Sequence, residues 1–140
     1  MKKTITQSGF TLVELAVVIV IIGVLAAFAV PRFRASVERS KAAESFNYLS
    51  AIQAAQERYH AKQGTYAADT NDLDIQFSAP KYFSVGEVQG ESLETTWSLT
   101  LTRSGNAAGY GEYTVTFTEQ GYDAENSTIS TLDDINPLQT

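Results

Sequence analysis

Glu14 is the first candidate for chemistry, because it is the only charged residue between Phe10 and Val30, a run of 21 residues that is otherwise almost entirely apolar. A carboxylate inside such a run costs several kcal/mol, so a function is expected for it. A local explanation also exists. The sequence Thr11-Leu12-Val13-Glu14 fits the S/T-x-x-E capping box, and an acid in the first turn suits the helix dipole. The residues by themselves leave both interpretations open.

Catalytic chemistry is not indicated elsewhere in the chain. The only histidine, His60, falls in the last turn of a predicted helix, where a partial positive charge is favourable. No nucleophile, base and orienting acid can be assembled around it from spacing, and no glycine-rich phosphate loop is present. The absence of cysteine excludes disulfides, zinc thiolates and a thiol nucleophile. We therefore expect no catalytic residue, no metal-spaced histidine or cysteine set and no enzymatic activity.

The run from Phe10 to Val30 predicts a helix that can cross a membrane. A helix of this many residues is roughly 31 Å long, which matches the hydrocarbon thickness of a bilayer, about 30 Å. Apolar side chains occupy every side of it, so no face is suited to water. The helix has about ten large apolar side chains, and exposing each to water costs roughly 2 kcal/mol. Exposing the whole helix therefore costs about 20 kcal/mol. The helix therefore needs lipid or protein around it at all times.

The segment in front of this run is hydrophilic. Residues 1–9 contain two lysines, end in Ser8 and Gly9, and have no hydrophobic stretch of their own. A secretory signal peptide carries its apolar region before the cleavage site and loses it on cleavage. A cut after Gly9 would instead keep the apolar helix in the mature chain.

The string Gly9-Phe10-Thr11-Leu12-Val13-Glu14-Leu15, followed by the apolar run, resembles the class III signal of type IV prepilins and pseudopilins. The resemblance implies that a prepilin peptidase cuts between Gly9 and Phe10 and then N-methylates Phe10. It also implies an assembly role for Glu14, which is the fifth residue after the cut. In the family this acid neutralises the free amine of the terminal residue on an adjacent subunit, and two opposite charges do lower each other's desolvation cost.

Gly23 and Pro31 match further positions of the same signal. Glycine and proline both weaken a helix, so a kink or a weak stretch is expected between them on backbone grounds alone. The resemblance implies that this stretch loses helical structure when the helix is packed into a filament.

The stretch after Pro31 predicts an amphipathic second half of the helix, residues 32–63. Its apolar side chains recur mostly at three- or four-residue steps against charged and amide side chains. Lys62 and Gly64 suit the end of the helix, through the dipole and a left-handed cap. The members of the predicted apolar stripe are Phe33, Val37, Phe46, Leu49, Ile52, Ala55 and Tyr59.

Residues 64–140 predict a small β-rich head of the pilin-like type. Strand patterns run from Thr95 to Thr102 and from Glu112 to Thr118, with a glycine-rich turn between them, and a weaker one runs from Tyr82 to Val88. One face of this antiparallel sheet is apolar and is expected to pack on the helix, which gives an α+β fold. The side chains predicted on that face are Trp97, Leu99, Leu101, Tyr113, Val115 and Phe117.

Charge is distributed unevenly along the chain. Six basic and three acidic residues lie between Arg32 and Lys62, whereas two basic and twelve acidic ones follow from Gln63 onward. An acidic head repels phosphate backbones, so direct nucleic-acid binding by the head is not expected.

No cofactor is expected either, apart from calcium, which the resemblance suggests because major secretion pseudopilins bind it in a C-terminal loop. The weak candidate ligands are Asp123, Glu125, Asp133 and Asp134, and Asn126-Ser127-Thr128 fits an N-glycosylation sequon.

The resemblance favours a structural protein. It implies a type IV pilus subunit that is inserted in the inner membrane, processed by prepilin peptidase and polymerised into a cell-surface filament for adhesion, motility or a related task. Its partners would be further copies of itself, the peptidase, an inner-membrane assembly platform and minor pilins.

Two alternatives stay open. One is a pseudopilin of a type II secretion system, located in a periplasmic pseudopilus, because the major subunit of such a system also lacks a disulfide. The other is a monomeric membrane-anchored binding protein. Gly9, Phe10 and Glu14 weigh against the second, since a simple anchor needs neither a cleavable hydrophilic leader nor a buried acid.

Overall fold

The computed structural model describes residues 9–139, so residues 1–8, which belong to the predicted leader, and Thr140 lie outside the described part. The fold is α+β, as expected. It has one long helix, α1 (Leu12–Gln63), and a four-stranded antiparallel sheet. The strands are β1 (Phe83–Val85), β2 (Ser98–Arg103), β3 (Thr114–Thr118) and β4 (Gly121–Tyr122), with short 3-10 turns at Thr70–Asp72 and Thr128–Thr131. The chain divides into two compact units, the first ending at Arg34 and the second beginning at Ala35.

In the first unit, α1 is apolar on all sides. Its large apolar side chains between Leu12 and Val30 are 45% to 83% exposed. Within residues 9–139, α1 is the one helix that is long and apolar enough to cross a membrane. The helix continues without a break through Gly23 and Pro31. Loss of helix between these two positions in a filament stays a prediction.

In the second unit, α1 buries one face at alternating steps of four and three residues. That spacing returns to the same side of a helix, so a single row of side chains lies against the sheet. The helix ends at Gln63 as predicted, because Gly64 takes the left-handed φ of +76° and donates its N–H to the His60 carbonyl oxygen at 2.8 Å. The buried row consists of Glu38, Ala42, Ser45, Leu49, Ile52 and Gln56.

The predicted apolar stripe is wrong in its first two members. Phe33 belongs to the first unit and is 69% exposed, and Val37 is 39% exposed. The nine residues from Val37 to Phe46, at 100° each, place these two side chains about half a turn apart around the helix axis. Phe46, Leu49, Ile52 and Ala55 are buried and Tyr59 packs against them, as predicted.

The sheet follows chain order, β1-β2-β3-β4, with every neighbouring pair antiparallel. In the central pair, Leu99 lies opposite Phe117 and Leu101 opposite Val115. These four side chains are buried, together with Trp97 and Tyr113 just outside the strands, which confirms the predicted face. The strand predicted from Tyr82 to Val88 is shorter than expected, and the pattern did not predict β4. That two-residue strand follows a tight turn at residues 119–120 and begins at Gly121, whose φ is +105°.

The C-terminal segment is held without a disulfide. Ile129 and Ile135 are fully buried in the core. Ser127 and Thr128 accept hydrogen bonds from the backbone N–H groups of Thr116 and Thr114, both at 2.8 Å. These contacts cover the part of the β3 edge that the two-residue strand β4 does not reach. Side-chain hydroxyl groups therefore take the place of backbone pairing along that part of β3.

Candidate functional site

Gly9 and Phe10 lie ahead of α1, separated from it by Thr11, and both are exposed. The side chain of Phe10 is 79% exposed. The peptide bond between them is therefore outside the helix, which is where a peptidase can engage an extended backbone. The cleavage itself and the methylation of Phe10 stay predictions.

Thr11 and Glu14 form a reciprocal capping box at the start of α1. The backbone N–H and the side-chain hydroxyl of Thr11 both donate to Glu14 Oε2, at 2.8 and 2.7 Å. The backbone N–H of Glu14 donates in return to Thr11 Oγ1 at 3.2 Å. Two of the four N–H groups that a helix leaves unpaired at its start are satisfied in this way. These hydrogen bonds confirm the prediction that Thr11 and Glu14 form a capping box.

The capping box does not use the whole carboxylate. Both hydrogen bonds from Thr11 fall on Oε2, and Glu14 Oε1 accepts none from the residues that the structure describes. Glu14 is exposed. A carboxylate can accept about four hydrogen bonds, so capping by Oε2 leaves Oε1 able to meet a cation from outside the chain. The two interpretations of Glu14 are therefore compatible.

A buried charged cluster that the sequence pattern did not predict lies between α1 and the sheet. Glu38 is fully buried, and Arg103 and Tyr113 are 2% and 1% exposed. Arg103 binds the Glu38 carboxylate with two groups, Nε to Oε1 at 2.5 Å and Nη2 to Oε2 at 3.1 Å. The Tyr113 hydroxyl donates to Glu38 Oε1 at 2.9 Å, and Lys41 Nζ lies 3.4 Å from Oε2.

The remaining N–H groups of Arg103 bind backbone carbonyl oxygens. Nη1 donates to Tyr82 at 3.2 Å and to Ser104, and Nη2 donates to Asn106 at 3.1 Å. The guanidinium thus links α1, the segment before β1 and the turn after β2. A buried ion pair needs this degree of hydrogen bonding to offset the desolvation of its charges.

The cluster changes the pKa of its members. Burial raises the pKa of the Glu38 carboxyl, but hydrogen bonds from Arg103 and Tyr113 and the positive charges of Arg103 and Lys41 outweigh it, so the pKa lies below its ordinary value. The hydrogen bond to Glu38 raises the pKa of Arg103. Burial and the hydrogen bond to Glu38 raise the pKa of Tyr113. The cluster is therefore stable as an ion pair with a neutral phenol.

A signal for this cluster was present in the sequence. Trp97, just before β2, is followed on the same buried face by Leu99 and Leu101, and this period of two continues to Arg103. On the helix, Glu38 lies four residues before Ala42 in the buried row. A basic residue and an acidic residue at two core-facing positions indicate that they pair.

The other residues singled out in the sequence do not form a site. His60 Nε2 lies 3.0 Å from the Glu94 carbonyl oxygen, and its ring stacks on Tyr66 at 4.4 Å. Asp123 accepts from the backbone N–H groups of Glu125 and Asn126, both at 3.1 Å, and from Asn126 Nδ2 at 2.7 Å. These hydrogen bonds from Asn126 and Glu125 lower the pKa of Asp123.

The four acidic candidates for calcium are not brought together. Within residues 9–139, no three or more His, Cys, Asp or Glu side chains are grouped as metal ligands, so Asp123, Glu125, Asp133 and Asp134 form no ligand set there. Calcium binding stays a prediction.

Comparison with known proteins gives a consistent result. A model of the prokaryotic N-terminal methylation motif matches residues 6–30. The fimbrial protein EcpC of Eikenella corrodens is 35% identical over 104 residues, which cover 74% of this chain and 68% of that protein. The type IV major pilin protein PilA of Myxococcus xanthus is 40% identical over 65 residues, 46% of this chain and 30% of that protein.

A secretion protein is similar as well. The type II secretion system core protein G of Vibrio cholerae is 32% identical over 80 residues, which cover 57% of this chain and 55% of that protein. The aligned segment thus spans less than two thirds of PilA and of core protein G. No solved structure gives a significant match.

Proposed function

Since the chain belongs to the family of type IV pilins and pseudopilins, whose members are structural subunits and not enzymes, we propose that it is the subunit of a type IV pilus. In this function it is anchored in a membrane by the first part of α1 and then self-assembles into a surface filament through that same part.

One observation carries the proposal. The side chains of α1 between Leu12 and Val30 are apolar on every side and exposed, from 45% to 83% for the large ones. Exposing about ten such side chains to water costs roughly 20 kcal/mol, so this surface needs a lipid or protein environment. A bilayer provides it before assembly, and a bundle of identical helices provides it in a filament.

Processing comes before assembly. We propose that a prepilin peptidase cuts after Gly9 and methylates the amine of Phe10. This step is supported by the match of the methylation motif over residues 6–30 and by the exposed position of Gly9 and Phe10 ahead of α1. The cut removes both lysines of the leader and creates a new positive charge at the start of the apolar helix.

Glu14 then has a partner in the neighbouring subunit. In an apolar bundle, an isolated amine and an isolated carboxylate are each unfavourable, whereas a pair of them is much less so. The amine of Phe10 on a second subunit is the cation that the motif supplies. Capping of Thr11 through Oε2 leaves Oε1 of Glu14 for this contact.

The other partners and the location belong to the same proposal. We propose insertion in the inner membrane, extraction by an inner-membrane assembly platform and initiation by minor pilins. These partners are supported only by family membership, which by itself implies self-assembly.

A second function is favoured by the similarity to core protein G of a type II secretion system. The absence of cysteine in this chain also agrees with a major pseudopilin, as the resemblance implies. In that case the same helix would build a periplasmic pseudopilus. The two functions differ in location: a pilus subunit is recovered from the cell surface by shearing, and a pseudopilin stays with the cells.

The experiment that tests the proposal is intact mass spectrometry of the main subunit of filaments sheared from the cell surface. We expect a chain that begins at Phe10 and carries one methyl group on its amine. Sheared material that lacks this chain, or contains it with residues 1–9 still attached, would contradict the proposal. Secretion that fails when the gene is deleted, without any surface filament, would favour the pseudopilin.

A further inference from the structure

Arg32 and Arg34 follow the apolar part of α1, and both are exposed. Glu14 is the only acidic residue in the described part of the first unit, and it lies 18 positions before Arg32. The next acidic residue along the chain, Glu38, is bound by Arg103 within the second unit. The two arginines therefore carry positive charge that no neighbouring acidic side chain of the first unit neutralises.

The length of the apolar run places both arginines at the surface of a bilayer. The run from Phe10 to Val30 is roughly 31 Å long as a helix, and the hydrocarbon of a bilayer is about 30 Å thick. Arg32 and Arg34 lie about 3 and about 6 Å beyond Val30 along the helix axis. The phosphate groups of phospholipids occupy this level, just outside the hydrocarbon.

The position of Glu14 favours the same depth in the membrane. Because α1 is continuous from Glu14 to Arg32, these two residues are about 27 Å apart along the helix axis. With Arg32 at one surface of a bilayer of about 30 Å, Glu14 lies close to the opposite surface. A shift of the helix in either direction would move one of the two charges into the hydrocarbon, where a charged side chain is strongly unfavourable.

Arginine side chains are well suited to phosphate at this level. A guanidinium donates two parallel N–H groups to phosphate oxygens, and its methylene stem can lie along acyl chains. At 100° per residue, Arg32 and Arg34 are about 200° apart around the helix axis, so each faces a different phospholipid. Phe33 lies between them in the sequence and is 69% exposed, which adds apolar surface against the acyl chains.

We propose that Arg32 and Arg34 bind the phosphate groups of anionic phospholipids and so hold the subunit at a fixed depth in the membrane before assembly. The inference rests on the proposed function, because it requires the apolar part of α1 to span a bilayer. Anionic lipids are preferred to zwitterionic ones, since a negative surface potential attracts each basic side chain near it. These two are the only basic side chains among residues 10–34, so the contacts must break when the subunit leaves the membrane for a filament.

The experiment measures which phospholipids contact the full-length chain in a bilayer. The chain is reconstituted in phosphatidylcholine vesicles that contain a trace of spin-labelled phosphatidylglycerol or of spin-labelled phosphatidylcholine. Electron spin resonance gives the fraction of each labelled lipid that is immobilised at the protein, and the ratio of the two fractions is the preference for anionic lipid.

Three variants are compared with the wild type. Arg32→Gln/Arg34→Gln removes both charges, and Arg32→Lys/Arg34→Lys keeps them. Lys62→Gln is the control, because Lys62 is exposed in the last turn of α1 and belongs to the second unit. Trp97 emission and co-flotation with the vesicles verify that each variant is folded and inserted.

We expect the wild type to prefer phosphatidylglycerol by about threefold or more, and the glutamine pair to show about half of that preference or less. The lysine pair and Lys62→Gln should keep most of it. Sodium chloride at about 1 M should reduce the wild-type preference, because salt screens exposed charges. Lys2 and Lys3 are present in every variant, so the differences report only the substituted positions.

A glutamine pair with the wild-type preference would overturn the inference, and so would an equal loss in the lysine pair or in Lys62→Gln. If the glutamine pair keeps the preference but forms no filaments, the arginines contact an acidic surface of a neighbouring subunit instead. A chain that does not float with the vesicles would contradict the membrane anchoring in the proposed function. A chain that floats but shows no preference contradicts this inference alone.

Discussion

Glu38 and Arg103 are separated by 65 positions in the chain and form a buried ion pair, with Arg103 Nε 2.5 Å from Glu38 Oε1. The pair joins the N-terminal end of the buried row on α1 to the last residue of β2. Because the carboxylate receives two N–H groups of one guanidinium, the contact fixes orientation as well as distance. It therefore sets where the sheet packs along the helix.

Replacing one member of this pair should destabilise the second unit more than replacing both members. Arg103→Met or Glu38→Met alone leaves one buried charge unpaired and should cost about 3 to 5 kcal/mol in free energy of unfolding. The double variant Glu38→Met/Arg103→Met leaves no unpaired charge and should cost less than either single change. Denaturant unfolding of the detergent-solubilised chain, followed by Trp97 fluorescence, measures all three. A double variant as unstable as the sum of the singles would contradict the pairing.

The same pair predicts a dependence of stability on acid. The pKa of Glu38 is lowered in the folded state, so its stabilisation is complete above the unfolded value of about 4.3 and is lost as the pH falls through the folded value. Unfolding free energies of the wild type and Glu38→Gln, measured from about pH 7 to about pH 3, test this. The difference between the two should shrink below about pH 4, because Glu38 takes up a proton there, whereas the other carboxylates titrate in both chains and cancel in the difference. A constant difference would show that Glu38 does not titrate with folding.

Trp97 should be a main contributor to the core of the second unit. It is 1% exposed, and Trp97→Ala should cost about 3 to 5 kcal/mol in unfolding free energy. Phe33→Ala is the matched control, because Phe33 is 69% exposed and lies in the first unit. Since Trp97→Ala removes the only tryptophan, near-ultraviolet circular dichroism of the tyrosines replaces fluorescence as the readout. Equal effects of the two substitutions would mean that the predicted strand face is wrong.

The strand face was predictable because apolar residues alternate with threonine along β2 and β3. Leu99, Leu101, Val115 and Phe117 follow the period of two, and all four are buried. The end of α1 was predictable for a similar reason, since Gly64 combines a helix stop with a left-handed conformation. Both signals are local, so tertiary packing did not need to be known.

The errors and omissions have a different physical origin. Val37 was predicted on the buried stripe because three- and four-residue steps were counted without adding up the rotation of about 100° per residue. That rotation places Val37 about half a turn away from Phe46. The period of two in β2 marks Arg103 as buried, but the predicted stripe placed Val37 and not Glu38 on the buried face of α1, so the pair with Glu38 was missed. The buried row also includes Gln56, which holds the backbone of Ala67 through two hydrogen bonds of 2.8 and 3.0 Å. Such polar contacts depend on the course of the loop that follows α1, which the local sequence pattern does not determine.

Ser127 should be important for the C-terminal segment although it is small. Its hydroxyl accepts from the Thr116 N–H at 2.8 Å and is buried. Ser127→Ala leaves that N–H without a partner and should cost about 1 to 3 kcal/mol. Ser92→Ala is the control, because Ser92 is exposed. Denaturant unfolding monitored by Trp97 measures both, and equal midpoints for the two variants would show that the hydroxyl is dispensable.

The two roles of Glu14 can be separated by three substitutions. Glu14→Gln keeps an oxygen that can accept from the Thr11 N–H but removes the charge, so capping should survive and filament formation should be lost or sharply reduced. Glu14→Ala should have the same effect on filaments and should leave cleavage and membrane insertion intact, because a methyl group is better tolerated in an apolar helix. Thr11→Val removes the hydroxyl of the capping box, which costs about 1 kcal/mol of helix stability, and should give near-normal filaments. The measurement is the amount of sheared subunit per cell beside the amount in the membrane fraction. If Glu14→Gln assembles like the wild type while Thr11→Val does not, the capping box is the function of Glu14 and the pairing with the amine of Phe10 is wrong.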